Sequence, residues 1–234
     1  MVSLDASLKE IVEELRKLGS RGIQDFFSAN EDKIFSNEFE EKLKTADPAD
    51  VFDFMLLIPA NYFARFLDNF GHIISEKIAN ADIRSVAKIF DQLPKDLRKE
   101  FNARFRNIIT DYVEKLSIPD MVTMINNVSA PARPGLLSPM KPILFNPQFK
   151  EKILEVSISD LENFISTLPE DIRKQFLSKH KEVFLSDEFG KKLKEASNEE
   201  ITNLALRWFT GDLYNQFVTK HKTILEEKGL KLPL

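Results

Sequence analysis

The sequence predicts an all-α protein, specifically an α-solenoid of about five tandem three-helix repeats. Three observations predict it. A phrase of the form Leu-Pro-x-Asp-Leu-Arg returns along the chain, as Leu93-Pro94-Lys95-Asp96-Leu97-Arg98 and as Leu168-Pro169-Glu170-Asp171-Ile172-Arg173. The equivalent anchors Phe27, Phe66, Phe101, Leu136, Phe176 and Phe217 stand 39, 35, 35, 40 and 41 residues apart, and self-similarity at such a period marks a helical array. Apolar residues recur three and four apart, as in Phe101, Phe105 and Ile108, and nothing alternates with period two over a useful length.

The first elements are atypical. Leu4, Leu8, Ile11, Leu15 and Leu18 predict an amphipathic helix closed by Gly19. A helix around Phe26 and Phe27 comes next, and this pair caps the N-terminal end. Each later repeat of 35–41 residues reads as three short helices. The first carries a recurring Glu-Lys-Leu phrase, at Lys42, Lys77, Lys115, Lys152 and Lys192. The second carries apolar pairs three apart, such as Val86 with Ile89 and Leu161 with Phe164. Asp50, Ser85, Asp120, Asp160 and Glu200 precede these pairs and suit a helix N-terminus, where they meet free N–H groups. The third opens at Pro59, Pro94 or Pro169, a position that tolerates a missing N–H. In the last repeat these helices are read as 187–196, 198–208 and 211–225.

One stretch departs from the pattern. Between residues 129 and 147 the chain carries Pro131, Pro134, Pro139, Pro142 and Pro147, and each interior proline removes a helical hydrogen bond. An irregular segment is expected there. It would act as a hinge between halves 1–128 and 148–234 of one domain spanning 1–234, or as a rigid element that meets a partner. The tail from Glu226 to Leu234 is expected to fray.

The pattern resembles armadillo- and HEAT-type helical solenoids. The Leu-Pro-x-Asp phrase is also similar to phrases in the cytosolic helical domain of MgtE-type magnesium transporters and in flagellar motor switch domains. The resemblance covers short phrases and transfers no functional residue.

Composition narrows the function classes. The 234 residues are 43% hydrophobic and 30% charged, which is globular rather than disordered. A net charge of -4 disfavours nucleic acid as the partner. The absence of cysteine excludes disulfides and thiolate chemistry. The N-terminus shows no signal-peptide pattern and no stretch reads as a membrane span, so a cytoplasmic location is expected.

No residue pattern points to catalysis, a cofactor or a metal. The chain has no GxSxG, no HExxH and no Gly-rich phosphate loop, and its seven glycines are scattered. Twenty phenylalanines at helical spacing read as core. Trp208-Phe209 replaces the Leu-Pro phrase in the last repeat, either as a cap on the core or as an exposed anchor. The candidate site is a basic ladder. Equivalent positions of successive third helices hold Arg104 and Arg106, then Lys141, then Lys179-His180-Lys181, then Lys220-His221-Lys222. Stacked helices about 10 Å apart would align them into a positive stripe for an acidic protein, a phosphorylated ligand or an anionic lipid surface. The competing reading is a solvated face. A second ladder, Lys42 to Lys192, has Glu directly before four of its five members, so its field is partly cancelled.

The expected function is a non-enzymatic scaffold or adaptor that binds a macromolecular partner, most simply a protein, along an extended face. Two alternatives stay open. One is a secreted effector of an intracellular microbe acting on a host protein. The other is a helical enzyme with a groove site near the Pro-rich segment and His72. The oligomeric state is left open.

Overall fold

The computed structural model describes residues 1–233, which are all-helical, with no strand among the described residues. The helices run in chain order as α1 (Leu8–Arg16), α2 (Ser20–Ala29), α3 (Glu31–Ile34), α4 (Asn37–Thr45), α5 (Pro48–Met55) and α6 (Ala60–Asn80). Next come α7 (Ile83–Gln92), α8 (Lys95–Glu114), α9 (Ile118–Asn126), α10 (Arg133–Leu144), α11 (Lys150–Glu155) and α12 (Ile158–Thr167). The last are α13 (Glu170–Lys179), α14 (Lys181–Phe184), α15 (Asp187–Glu195), α16 (Asn198–Trp208), α17 (Gly211–Lys220) and α18 (Lys222–Glu227).

The chain divides into two compact units, Met1–Tyr112 with Asn127–Pro139, and Val113–Asn126 with the chain from Met140 onward. In the first, α5 packs on α1, α6 and α7. Its core includes a run of rings, Phe27 on Phe54 at 5.8 Å, Phe54 on Phe66 at 5.8 Å and Phe66 on Phe70 at 5.1 Å. In the second, α12 packs on α9 and α16, and α15 packs on α11 and α18. Phe149, Phe164 and Phe176 meet there at 5.5–5.9 Å. The twelve largest fully buried side chains are all phenylalanine, so the phenylalanines do serve as core.

A capped short helix recurs, and its caps lie three residues before the positions read from the sequence. Ser7, Asp47, Asp82, Ser117, Ser157 and Ser197 precede α1, α5, α7, α9, α12 and α16, at intervals of 40, 35, 35, 40 and 40 residues. All but Asp47 accept a hydrogen bond from the backbone N–H three residues on, at 2.8–3.2 Å. Asp50, Ser85, Asp120, Asp160 and Glu200 are those third residues. Glu200 completes a capping box by accepting from the Ser197 N–H at 2.8 Å.

The length of each interval decides whether the helix within it is continuous. The two 35-residue intervals contain single continuous helices, α6 and α8, of 21 and 20 residues. Longer intervals accommodate a break. The chain from Ser20 to Thr45 is divided into α2, α3 and α4, and Ser36 restarts the helix by accepting from the Phe39 N–H. Ser186 does the same for α15.

The second lysine ladder has a structural task. Lys42 Nζ donates to Ala6 O at 2.6 Å, Lys77 to Ala46 O at 2.6 Å, and Lys152 to Leu116 O at 2.7 Å. Each acceptor directly precedes a helix cap. Lys192 and Lys228 bond Leu154 O and Lys194 O. In the copy containing Lys115, the Tyr112 hydroxyl takes over and donates to Ala81 O at 2.9 Å. Apart from Ala6 O, which follows no helix, these acceptors lie at a helix C-terminus or just past it, where carbonyls lack intrahelical partners and carry the negative dipole end, so a cation there ties one helix end to the next. The sequence showed the ladder through its Glu-Lys-Leu phrase but not this role.

The Pro-rich stretch departs from expectation. It forms a 12-residue helix, α10, through Pro134, Pro139 and Pro142. Pro139 has no N–H to give Gly135 O, and Pro142 has none for Ser138 O. Side chains of α8 bond those two carbonyls instead, Asn102 Nδ2 to Gly135 O at 2.9 Å and Arg106 Nη2 to Ser138 O at 3.1 Å. Arg133 also restores the recurring phrase. Its Nε bonds Val128 O five residues back, as Arg98 bonds Leu93 O and Arg173 bonds Leu168 O.

Both chain ends also differ from expectation. Gly19 precedes α2 with φ −73, so it is not a left-handed helix terminator. The tail is tied at Gly229, whose φ of 67 allows a Schellman turn: Leu230 N–H bonds Leu225 O at 2.8 Å and Gly229 N–H bonds Glu226 O at 2.9 Å. Tyr214 Oη then donates to Pro233 O at 2.5 Å. Leu234 lies outside the described residues.

Candidate functional site

The basic ladder separates into residues with internal partners and residues open to solvent. Within the first unit, Arg104 is spanned by Glu100 on its own helix and Asp68 on α6, and both hold its guanidinium protonated. Arg106 is spent on the hydroxyl and carbonyl of Ser138. Both arginines are thus engaged inside the first unit.

His180 and His221 leave the ladder, because each is only 2% exposed. They sit where α13 gives way to α14 and α17 to α18. Nε2 of His180 lies 2.6 Å from Leu144 O, and Nε2 of His221 lies 2.8 Å from Phe184 O. Burial pushes both pKa values below the ordinary histidine value of 6.5, which keeps the rings neutral N–H donors to those carbonyls. Their recurrence in the sequence marks a packing position. Gly190 makes room for the second ring, since a Cβ there would lie 3.3 Å from His221 Nδ1.

The flanking lysines remain outside. Lys179 is exposed, and Lys141 and Lys181 are half-exposed; none of the three forms an ion pair among the described residues. Lys220 pairs with Asp187 at 2.9 Å and lowers that carboxyl's pKa, and Lys222 approaches Glu226 at 3.9 Å. Exposed pairs of this kind contribute little stability and exchange readily for another anion.

Lys181 leads to a cleft that the sequence did not reveal. A space of about 410 Å³ opens between α13, α14 and the junction of α16 with α17. Arg173, Lys174, Lys181 and Arg207 line it, against the acids Glu170 and Asp212. Trp208 stands in its wall. The Arg173 guanidinium lies over the indole at 4.4 Å and that of Arg207 at 5.2 Å. Glu162 fixes the arrangement from α12, because its Oε1 accepts from Trp208 Nε1 at 2.7 Å and from Arg207 Nη1 at 3.1 Å. Phe209, 2% exposed, caps the core, whereas Trp208 is half-buried with its indole N–H bonded to Glu162. The available signal was positional: Trp208 stands where earlier copies carry Leu57, Gln92, Asn127 and Thr167.

Near the Pro-rich segment a smaller space of about 200 Å³ is lined by Glu114, Glu151, Glu155 and Lys152, and its lining contains no histidine. His72 instead bonds Glu40 at 3.0 Å on the surface. Among the described residues no group of three or more acidic or histidine side chains is arranged to hold a metal ion. No helix there is long and apolar enough to cross a membrane. Comparison with protein-family models, with curated proteins and with solved structures finds no match for this chain. Its own geometry defines it as an all-helical protein with a cationic, tryptophan-walled cleft.

Proposed function

We propose that the recurring helices are the repeats of a solenoid and that the chain is a scaffold or adaptor for an anionic protein partner. The observation that carries this reading is the exposure of Lys179 and Lys181 without acidic partners, on either side of a buried histidine that holds their backbone in place. Lys220 and Lys222 repeat that arrangement around His221 with only surface pairs to displace. Binding at equilibrium with electrostatic selection requires nothing more.

Affinity capture followed by mass spectrometry tests it. The intact chain would be compared with the variant in which Lys179, Lys181, Lys220 and Lys222 become Glu, in lysates of its source and of a host. Loss of a partner only from the variant, with binding that weakens as salt rises, is the expected result. Equal capture by both chains would remove the lysines from the reading.

A further inference from the structure

We infer that the Trp208 cleft is an oxyanion pocket that takes an acidic side chain, carboxylate or phosphate, from a peptide segment of a partner. The inference rests on the binding-module reading above and names the anchoring point within it.

Charge balance comes first. The chain as a whole carries -4, yet four cations and two acids line this cleft. Lys174 and Glu170 pair with each other at the rim at 2.6 Å, both more than two-thirds exposed, and so cancel. Arg207 shares Glu162 with Trp208. Arg173 and Lys181 form no ion pair among the described residues. Arg173 gives one N–H to Leu168 O at a long 3.3 Å, which leaves most of its donors unused.

Preorganisation is the second support. Arg98 and Arg133 make the same bond to the carbonyl five residues back, but no ring lies over either among the described residues. Of these three arginines Arg173 alone has an aromatic wall among the described residues, supplied by Trp208 from the following phrase. A guanidinium over an indole spends its face on the ring, while its N–H donors lie at its edge and suit a planar oxyanion. Glu162 anchors the indole from a side chain that is 17% exposed, so the wall does not have to be ordered when ligand arrives. Leu177 and Leu213 supply apolar surface beside the cations for the stem of the incoming side chain.

Trp208 is the single tryptophan of the chain, so its fluorescence reports this cleft alone. The test titrates the full chain with a short Glu-rich peptide, its phosphoserine counterpart, a Gln-for-Glu control and inorganic phosphate. A saturable change with either acidic peptide, absent with the Gln control, is expected. Whichever acidic peptide binds more tightly identifies the oxyanion. Arg173→Ala and Lys181→Ala should each weaken binding about tenfold, the effect of one charge-assisted bond, with melting temperature as the check on folding. Lys9→Ala, at an exposed lysine of the first unit outside both the cleft and the lysine stripe, should change it less than twofold. If Arg173→Ala does not fold, the salt dependence of wild-type binding decides instead, and salt-independent binding overturns the inference. Equal response to the Gln control, or no response to any peptide, also overturns it. Phosphate alone binding as tightly as a peptide overturns the peptide assignment. None of these results decides whether the lysine stripe captures a partner, which the capture experiment reads separately.

Discussion

Gly71 and Gly135 are both helical glycines, and an added methyl group meets different surroundings at each. A Cβ at Gly71 would sit 3.8 Å from the Phe105 ring, an ordinary contact. Gly71→Ala should therefore raise stability by about 0.5–1 kcal/mol, the helical preference of alanine over glycine. A Cβ at Gly135 would lie 2.5 Å from Arg98 Cδ. Arg98 is held by its bond to Leu93 O, and its Nε is buried without a partner, so the side chain has little freedom to move aside. Gly135→Ala should cost about 1–3 kcal/mol from overpacking, more than the helical gain returns. Thermal melts of the two variants check this, and a Tm raised by both would show that the Arg98 side chain yields freely.

The informative element is α10, a helix through three prolines. Its stability comes from donors on a neighbouring helix rather than from its own backbone. Removing Asn102 should leave Gly135 O without a partner and cost about 1–3 kcal/mol. Replacing Pro139 with Ala restores an N–H four residues after Gly135, so the loss of Asn102 should then cost much less. A double-mutant cycle on Asn102→Ala and Pro139→Ala measures that coupling. Additive effects would mean that the amide and the proline are unrelated. The lysine bonds to helix ends obey the same logic: partnerless carbonyls draw a donor from a later helix, here a charged one.

At the scale of the whole molecule, the two buried histidines link stability to pH. Both lie in the second unit with pKa values lowered by burial. Their backbone carbonyl partners oppose the shift, and around His221 the charges of Lys220 and Asp187 act in opposite directions. The unfolded chain takes up these protons near the ordinary value of 6.5, before the folded chain does. Their contribution is therefore complete above that pH and is lost as pH falls below it toward the folded values. Melting temperature should decline in that window for the wild type. The double variant His180→Gln and His221→Gln, which keeps an N–H donor without a titrating group, should show a flatter profile there. Parallel profiles would assign the pH dependence to other groups.

Much of this was legible in the sequence, because helix formation and burial are short-range. The spacing of three and four and the recurring Glu-Lys-Leu phrase are local signals, and they placed helices 187–196 and 198–208 to within a residue of α15 and α16, whereas the helix expected over 211–225 is broken at His221 into α17 and α18, and the Ser and Asp caps were missed by three residues. The sequence also exposed the basic positions as a series. It could not separate them, since burial of His180, pairing of Arg104 with Asp68 and engagement of Arg106 by Ser138 depend on residues more than thirty positions away. The same distance hid the rescue of α10 by Asn102 and the meeting of Arg173, Glu162 and Trp208 in one cleft. Periodicity determined the all-helical class, because helical hydrogen bonds close between residues four apart and the apolar stripe they create recurs at the same short range. Tertiary structure alone decided which cations remain free to bind, because a charge is free only when no folded neighbour has claimed it.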